Sequence, residues 1–408
     1  MGAEQDARER LEKDIETIAG FTETDPWVGH SRPTFSPSWR SARDYVEREA
    51  SAHSCLVRVD AAGNLHARPA RLGWDRPAWL CGSHLDSVPT GGKFDGVVGV
   101  VVALEVLRAE PRADVELIVF AEEEGTTFNL GMLGSRAWTG DVGVEKLRAL
   151  RNGAGRDYID AGAAHGVAPG RLEAERLRPS DYLGLIETHV EQGPGLWNSG
   201  EAVAVVTAIA GRRQYLCTLQ GEANHAGATR MSGRRDALAG AAEAVLGLEA
   251  LARELERKNG HTVITVGRLD VEPNALNVIP GRVTFSVDFR ARTNGEIAEG
   301  AARVRELLSR VAAERGLGME LAATEEVPAV PLDPGVCGRL RDASRRLGLT
   351  VTDTASGALH DTAIIAPLLP AAMLFIASKG GISHNPAEFS RIEDIACAAR
   401  IVAEAVMA

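Results

Sequence analysis

Cysteine is scarce in this sequence, and its few occurrences lie far apart. The 408 residues include five cysteines, none of them in a CxxC spacing. This excludes a disulfide-framed secreted domain and a paired-thiol zinc or redox motif. The first 20 residues are acidic, have a helical period and lack the apolar core of a signal peptide. We therefore expect reduced thiols and a cytoplasmic location. The cysteines are Cys55, Cys81, Cys217, Cys337 and Cys397.

Long apolar runs and clusters of positive charge are also missing. No stretch approaches the roughly 18 apolar residues that a membrane-spanning helix needs. Acidic residues outnumber basic ones by 56 to 45, for a net charge of -11. No basic run or basic and aromatic patch is present that would suit a phosphate backbone. The sequence therefore predicts neither a membrane span nor a nucleic-acid partner.

Apolar residues are plentiful enough for more than one core. They make up 45% of the 408 residues, and a chain of this length exceeds the size at which single cores usually divide. Residues 1–210 and 326–408 contain buried strands that alternate with helices. Examples are the strand Ala78–Cys81, the helix from Val97 to Leu107 and the strand "VELIVF". This order predicts an α/β domain with a mixed central sheet and helices on both faces.

Residues 211–325 follow a different plan. Strands and amphipathic helices alternate there in the order β-α-β-β-α-β, with "TVITVGRLD" as the second strand. This is the order of a ferredoxin-like α+β domain, and we expect it to be inserted into the first domain. The first of its helices carries one apolar stripe, which we expect to face the core. The stripe consists of Leu238, Ala242, Val245, Leu248, Ala252 and Leu255.

Polar side chains follow four apolar, strand-like runs, each within a glycine-containing loop. In open α/β folds the carboxyl ends of the strands carry the site, so we expect these side chains to meet. Imidazole and carboxylate together are the ligand set for zinc, manganese, cobalt or nickel. The sequence therefore predicts two divalent metal ions. The side chains are His84, Asp86 and Asp95, then Glu122, Glu123 and Glu124, then His189, and then His384.

Two metal ions roughly 3.5–4 Å apart need a bridging carboxylate and about two further ligands each. Asp95 could serve as the bridge. His84 could bind one ion together with His189 or a glutamate, and a glutamate with His384 would bind the other. Asp86 lies two residues after His84 and is expected to orient that imidazole through its second nitrogen. One of the adjacent glutamates can bind metal while its neighbour accepts a proton from water as a general base, so the pattern indicates a hydrolase.

Seven ordered motifs carry a family resemblance. They are "GSHLDSVPTGGKFDGVVGV", "EEEGTTF", "ETHVEQGPGL", "GEANHAGATRM", "PNALNVIPG", "SGALHD" and "GISHNPAE". Together they resemble the amidase, hydantoinase and carbamoylase branch of the M20 metallopeptidase superfamily, over nearly the whole chain from about Phe35 to His384. That branch contains N-carbamoyl-L-amino-acid hydrolases, allantoate amidohydrolases and β-ureidopropionases.

The resemblance implies a role for each candidate in the metal site. Glu124 would be a ligand, and Glu123, immediately before it, would be the general base. Asp95 would bridge two ions, and Asp86 and His225 would be catalytic residues together with Glu123. The implied metal ligands are His84, Asp95, Glu124, His189 and His384.

The resemblance also implies a substrate-binding set. Arg290 would hold the substrate carboxylate in a bidentate fork, a geometry that lysine cannot reproduce. Gln192 would contact the amide or ureido end, and Gly357 would line the same pocket. His225 and Asn277 would stabilise the oxyanion in the partner subunit of a homodimer. The inserted domain would then be the dimerisation or lid domain.

Three departures from the family pattern bear on the substrate pocket. Thr127 stands where relatives commonly have an arginine after the glutamates. Leu359 and Thr362 turn the "SGAGHDA" of relatives into "SGALHDT", and we expect these first two departures to reshape the pocket. The segment "GFTETDPWVGHSRPTFSPSW" adds bulk ahead of the core, including Trp27.

The sequence thus predicts a cytoplasmic, homodimeric, metal-dependent amidohydrolase that cleaves a linear C–N bond. The expected substrate is a small ureido carboxylate, first of all an N-carbamoyl-L-amino acid, which would give the amino acid, carbon dioxide and ammonia. Allantoate and β-ureidopropionate carry the same groups and stay open as alternatives. An M20 peptidase is less favoured because of the "EQGP" and "GISHNP" motifs. A noncatalytic metal-binding homologue is less favoured because Glu123 and every ligand are retained.

Overall fold

A computed structural model of the chain describes residues 2–23 and 28–408, so Trp27 lies outside the described residues. The helices are α1 (Gly2–Gly20), α2 (Pro37–Ala52), α3 (Val97–Ala109), α4 (Leu133–Thr139), α5 (Val144–Ala149), α6 (Tyr158–Gly162), α7 (Gly195–Ser199), α8 (Ala237–Asn259), α9 (Asn294–Glu314), α10 (Pro334–Arg346), α11 (Asp361–Ile365) and α12 (Ile392–Met407). The strands are β1 (Cys55–Val59), β2 (Leu65–Pro69), β3 (Ala78–His84), β4 (Val115–Phe120), β5 (Tyr182–Val190), β6 (Val203–Ile209), β7 (Gly211–Gln220), β8 (Asn224–His225), β9 (Thr262–Thr265), β10 (Leu269–Glu272), β11 (Val278–Ile279), β12 (Arg282–Ala291), β13 (Gly318–Val327), β14 (Val330–Pro331), β15 (Thr352–Ser356) and β16 (Ala371–Ile376).

The chain divides into two compact units. The first unit comprises residues 1–207, 332–354 and 359–408, and the second comprises residues 208–331 and 355–358. The main boundaries lie within a few residues of the limits expected at 210 and 326. The short segment 355–358 was expected in the other domain. It belongs to the second unit because backbone groups there bind it: the N–H of Ala210 donates to the carbonyl of Ser356 at 2.7 Å.

The first unit is built on a mixed sheet whose strands run in the order β1-β2-β4-β3-β5-β16-β6. The four central strands β4, β3, β5 and β16 are parallel, whereas β1, β2 and β6 pair antiparallel. Strands β3, β4 and β16 are buried along their whole length, as central parallel strands covered on both faces must be. Their carboxyl ends therefore meet at one edge of the sheet, and the predicted α/β class is confirmed.

The second unit has an antiparallel sheet in the order β13-β7-β12-β10, with β9 also paired to β12. This is the strand order of the ferredoxin-like plan, with α8 and α9 packed against the sheet. The single strand expected over "TVITVGRLD" is in fact two, β9 and β10, which pair with different parts of β12. Helix α8 begins at Ala237 because the Asp236 carboxylate accepts hydrogen bonds from the N–H groups of Leu238 and Ala239. A separate ribbon pairs β8 with β11.

All five cysteines are free thiols. Cys81, Cys217 and Cys337 are buried, and burial raises the pKa of the Cys81 thiol to about 12. That thiol stays protonated at neutral pH and is therefore unreactive. Within residues 2–23 and 28–408, no helix is long and apolar enough to cross a membrane.

A buried charged network lies beside strands β2 and β4. His66 Nδ1 is 2.6 Å from Glu116 Oε1, and its Nε2 is 3.2 Å from Asp60 Oδ2. Arg68 Nε donates to the other oxygen of Glu116 at 2.5 Å. Burial alone would lower the pKa of His66, but the hydrogen bonds to Asp60 and Glu116 outweigh it and raise the pKa to about 9. His66 is therefore a charged structural residue at neutral pH.

This network predicts a pH-dependent contribution to stability. Because the pKa of His66 is raised in the folded state, its contribution is fully present below about pH 6.5 and is lost as the pH rises through about 9. At about 1.4 kcal/mol for each pKa unit, it amounts to roughly 3 kcal/mol. The melting temperature of His66→Gln should therefore lie well below that of the wild type at about pH 6 and approach it at about pH 10. The exposed His53→Gln serves as the control, and a His66→Gln deficit that stays constant over this range would contradict the assignment.

Candidate active site

Four loops at the carboxyl edge of the first unit's sheet carry the predicted polar residues. His84 is the last residue of β3 and His189 lies near the end of β5. The glutamates 122–124 follow β4 directly, and His384 lies in the loop that leads from β16 to α12. Because the four strands are parallel neighbours, these loops converge.

The first ligand group consists of His84, Asp95 and His189. His84 Nε2 lies 3.5 Å from Asp95 Oδ1, and His189 Nε2 lies 3.2 Å from the same oxygen. All three side chains are buried. The three ligand atoms come from three different segments of the chain and lie around one small volume.

The second ligand group consists of Asp95, Glu124 and His384. His384 Nε2 lies 3.5 Å from Asp95 Oδ2 and 3.4 Å from Glu124 Oε2. Asp95 thus belongs to both groups, through one oxygen each. The His384 side chain is 48% exposed, so the second group is the one that faces solvent.

The histidines of the first group are oriented by backbone carbonyls. His84 Nδ1 donates to the carbonyl of Asp86 at 2.9 Å, and His189 Nδ1 donates to that of Val190 at 3.0 Å. Each Nε2 is therefore left as the ligand atom. His84 Nε2 is buried and has no hydrogen-bond partner among the described residues. Imidazole nitrogens and carboxylates around such an atom fit a divalent cation.

The role expected of the Asp86 carboxylate is corrected by this geometry. Its Oδ1 lies 3.9 Å from His84 Nδ1, beyond hydrogen-bond range. The turn after β3 instead places the Asp86 carbonyl against that nitrogen. The carboxylate is turned toward the next strand, where its Oδ2 accepts the N–H of Glu124 at 3.1 Å. Asp86 thus orients His84 through its backbone and holds the Glu124 loop through its side chain.

The carboxylates of the site are crowded in a buried space. Burial raises the pKa of Glu123 well above its ordinary value, and Glu124, Asp361 and Asp86 add to this, although His84 opposes it. Burial and the neighbouring Asp95 likewise raise the pKa of Glu124 to about 7. Such a cluster of desolvated carboxylates is stabilised by a bound cation.

The three consecutive glutamates have different surroundings. Glu123 Oε2 lies 3.8 Å from His84 Nε2, beside the first ligand group. Glu122 instead accepts hydrogen bonds from the N–H groups of Thr127 and Phe128 at 2.8 and 2.7 Å. Glu122 therefore shapes the loop and takes no part in the ligand groups.

The departures at Thr127 and Thr362 have structural partners. Thr127 Oγ1 accepts the N–H of Thr34 at 3.1 Å. Thr362 is fully buried, and its hydroxyl donates to Glu187 at 2.6 Å. The hydroxyl of Thr362 thus serves a buried carboxylate.

Gln192 lies next to the candidate bridge. Its Nε2 donates to Asp95 Oδ2 at 2.8 Å, and its Oε1 has no hydrogen-bond partner among the described residues. Ser383 Oγ is 2.7 Å from the same Asp95 oxygen. Ser383 was not identified from the sequence, although it lies in the "GISHNPAE" motif.

The other predicted substrate residues lie in the second unit. His225 and Asn277 are exposed and adjacent, since the N–H of Ala226 donates to the carbonyl of Asn277 at 2.9 Å in the β8–β11 ribbon. Arg290 and Gly357 also lie together, because Arg290 Nη1 donates to the Gly357 carbonyl at 3.0 Å. The four residues thus lie as two neighbouring pairs, His225 with Asn277 and Arg290 with Gly357.

Arg290 opens into a cavity of about 560 Å³ within the second unit. Its guanidinium is held by Asp288, with Nε 2.9 Å from Oδ1 and Nη2 3.3 Å from Oδ2. Gln214, opposite Asp288 on β7, donates to Oδ2 at 2.7 Å. Asp288 was not identified from the sequence. The available signal was its position two residues before Arg290, which places both side chains on the same face of a strand. His261 lines the same cavity.

Known proteins are similar to this chain in sequence and in fold. Residues 80–408 match the family described as peptidase family M20/M25/M40. An N-carbamoyl-L-amino-acid amidohydrolase from Paenarthrobacter aurescens is 35% identical over 393 residues, covering 95% of this chain and 94% of that protein. An allantoate amidohydrolase from Escherichia coli (strain K12) is 31% identical over 396 residues, covering 95% of each.

A solved structure agrees in fold as well as sequence. The crystal structure of an amidase of the hydantoinase/carbamoylase family from Burkholderia multivorans is 33% identical, with a TM-score of 0.88 over 98% of this chain and 97% of that one. The match spans both compact units. The family resemblance carried by the motifs is confirmed, and the chain belongs to the M20/M25/M40 peptidase family.

Proposed function

We propose that this protein is a metal-dependent amidohydrolase that removes the carbamoyl group from an N-carbamoyl-L-amino acid. The observation that carries the proposal is the sharing of Asp95 between two His and carboxylate groups, with Glu123 directly beside one of them. The N-carbamoyl-L-amino-acid amidohydrolase and the hydantoinase/carbamoylase amidase among the similar proteins support the same reaction class.

The residues that would hold two metal ions are those of the two ligand groups. His84 and His189 would bind one ion, Glu124 and His384 the other, and Asp95 both. Zinc, manganese, cobalt and nickel all suit this donor set. A divalent ion bound there would polarise the substrate carbonyl and lower the pKa of water.

Glu123 would act as the general base and then as the general acid. It accepts a proton from the attacking water and passes it to the leaving nitrogen, because the C–N bond breaks only when that nitrogen is protonated. Its buried position keeps bulk water from competing for this proton. Gln192 offers the free Oε1 to the ureido N–H groups while its Nε2 stays on Asp95.

The second unit would bind the rest of the substrate. Arg290 carries a planar fork suited to a carboxylate, with Gly357 beside it. His225 and Asn277 are exposed on a short ribbon, a position suited to stabilising the oxyanion of a partner subunit's site. We therefore propose a homodimer whose second unit serves as the dimerisation or lid domain. The free thiols fit a reducing, cytoplasmic setting.

Ammonia release by the purified protein tests the reaction and the substrate together. The protein is stripped of metal and reconstituted in turn with manganese, cobalt, nickel and zinc. It is then offered N-carbamoyl-L- and D-amino acids, β-ureidopropionate, allantoate and dipeptides. We expect turnover of the N-carbamoyl-L-amino acids.

The substrate panel separates the proposal from its alternatives. Turnover confined to allantoate, the substrate named for a similar protein, would change the substrate and keep the reaction class. Turnover confined to dipeptides would replace the amidohydrolase with a peptidase. No turnover of any compound with any metal would overturn the proposed function.

A further inference from the structure

Glu388 is a buried carboxylate whose hydrogen-bond partners are all candidate metal ligands or their neighbours in the chain. It lies four residues after His384 and is 4% exposed. Its Oε2 accepts the N–H groups of Phe94 and Asp95 at 2.8 and 3.1 Å. Its Oε1 lies 3.0 Å from Ser383 Oγ, the hydroxyl that also reaches Asp95. Glu388 thus contacts the backbone of the shared ligand and the residue next to His384.

These contacts join two loops that are remote in sequence. The loop after β3 carries Asp95, and the loop after β16 carries both His384 and Glu388. The N–H of Asp95 and the carboxylate of Glu388 are 293 positions apart. Asp95 and His384 are two of the three residues of the second ligand group. Their relative position therefore depends on the hydrogen bonds of Glu388.

The loop that carries Asp95 is shaped to receive the carboxylate. A Cβ atom added to Gly92 would lie 2.2 Å from Glu388 Oε2 and 2.5 Å from Glu388 Cβ. Only a glycine leaves this space open. The chain thus provides both the carboxylate and the gap into which it fits.

Acceptor atoms are required for this set of contacts. Two backbone N–H groups donate to Oε2 of Glu388, and Ser383 Oγ approaches its Oε1. A glutamine could satisfy all three, because its carbonyl oxygen would accept both N–H groups and its NH₂ group would donate to the Ser383 oxygen, whose own proton goes to Asp95. A leucine of similar size has no acceptor atom and therefore removes the hydrogen bonds to both N–H groups.

We propose that Glu388 is a positioning residue for the metal centre, which sets Asp95 against His384 so that the second ligand group is formed before metal binds. The inference rests on the metal site of the proposed function. Partners that orient metal ligands typically contribute about 10–100-fold to metal affinity, and we expect a loss of this size at the ion held by Asp95, Glu124 and His384.

The test is the metal affinity of Glu388→Leu. Metal-free protein is titrated with Mn²⁺ and with Zn²⁺ in competition with a fluorescent chelator, and the melting temperature of the metal-free protein is measured alongside. The matched control is Glu393→Leu, the same change at an exposed glutamate at the start of α12. We expect the Glu388 variant to bind one ion about 10–100-fold more weakly and the control to bind as the wild type does.

A second variant disrupts the same hydrogen bonds from the loop that carries Asp95. Gly92→Ala should displace the Glu388 carboxylate and weaken binding of the same ion, and it replaces Glu388→Leu if that variant fails to fold. Unchanged affinity for both ions with a lower melting temperature would show a purely structural role and overturn the proposal. Wild-type protein that binds no metal would overturn the proposal together with the metal site. Weakened binding in the variants would support it even if no ureido substrate were turned over.

Discussion

Glu123→Gln is expected to lower kcat for the ureido substrate by about 10²–10⁴-fold while leaving metal binding intact. Glu123 is a neighbour of the ligand groups, 3.8 Å from His84 Nε2, and belongs to neither of them among the described residues. Glutamine keeps the shape of the side chain but cannot take a proton from water. The loss should therefore fall on kcat, because proton transfer is the step removed.

Glu124→Gln is the comparison that makes this result specific. Glu124 Oε2 faces His384 in the second ligand group, so its variant should lose both activity and affinity for one metal ion. Kinetics and metal titration of the two variants separate a base from a ligand. Glu123→Gln protein that keeps most of the wild-type kcat would remove Glu123 as the general base.

Arg290→Lys is expected to raise KM for carboxylate substrates by about 10–100-fold with little change in kcat. The charge is kept, but the planar fork is lost, and charge-assisted hydrogen bonds contribute about 1.5–3 kcal/mol. Burial would raise the pKa of Asp288, but the hydrogen bonds from Arg290 and Gln214 hold it below its ordinary value. Asp288 thus stays ionised, and a lysine cannot reproduce its two contacts with the guanidinium.

The control for Arg290 lies in the same cavity. Arg268 also lines it but pairs with the exposed Asp270, so Arg268→Lys should leave KM unchanged. An N-carbamoyl amino acid amide, which lacks the carboxylate, should be turned over equally by the wild type and by Arg290→Lys. If Arg290→Lys keeps the wild-type KM for the carboxylate substrate, this arginine does not bind that group.

Helix α8 shows where apolar patterning fails. The expected stripe included Leu238 and Ala242, which are exposed, while Leu248 and Leu255 are buried as expected. The buried face of α8 instead includes the small residues Gly240 and Ala244. A Cβ on Gly240 would lie 2.4 Å from Leu317, so close packing selects the small side of the helix. Hydropathy alone cannot decide whether a face of alanines or a face of leucines is the buried face of a helix.

The chain between β4 and β5 was not predicted at all. It folds as short helices, among them α4, α5 and α6, each too brief to show a clear helical period. Their burial depends on residues elsewhere, since Leu133, Trp138 and Tyr158 join a core that also includes Leu80 and Leu185. Such elements are stabilised by packing, which a local pattern does not contain.

The sequence by itself determined the fold class, the family and the polar residues that meet in the candidate site. Apolar strands that end in glycine-containing loops are local features, and parallel strands bring their carboxyl ends together wherever they occur. Hence the sequence alone was enough to group His84, Asp95, His189 and His384.

The tertiary structure alone decided which atoms meet. It placed the carbonyl of Asp86, and not its carboxylate, on His84, and it brought Gln192 and Glu388 to Asp95. These contacts depend on hydrogen-bond distances of about 3 Å between loops that are far apart in the chain. The physical reason is that a hydrogen bond is set by the final positions of two atoms, whereas a sequence pattern determines only the element on which each residue lies.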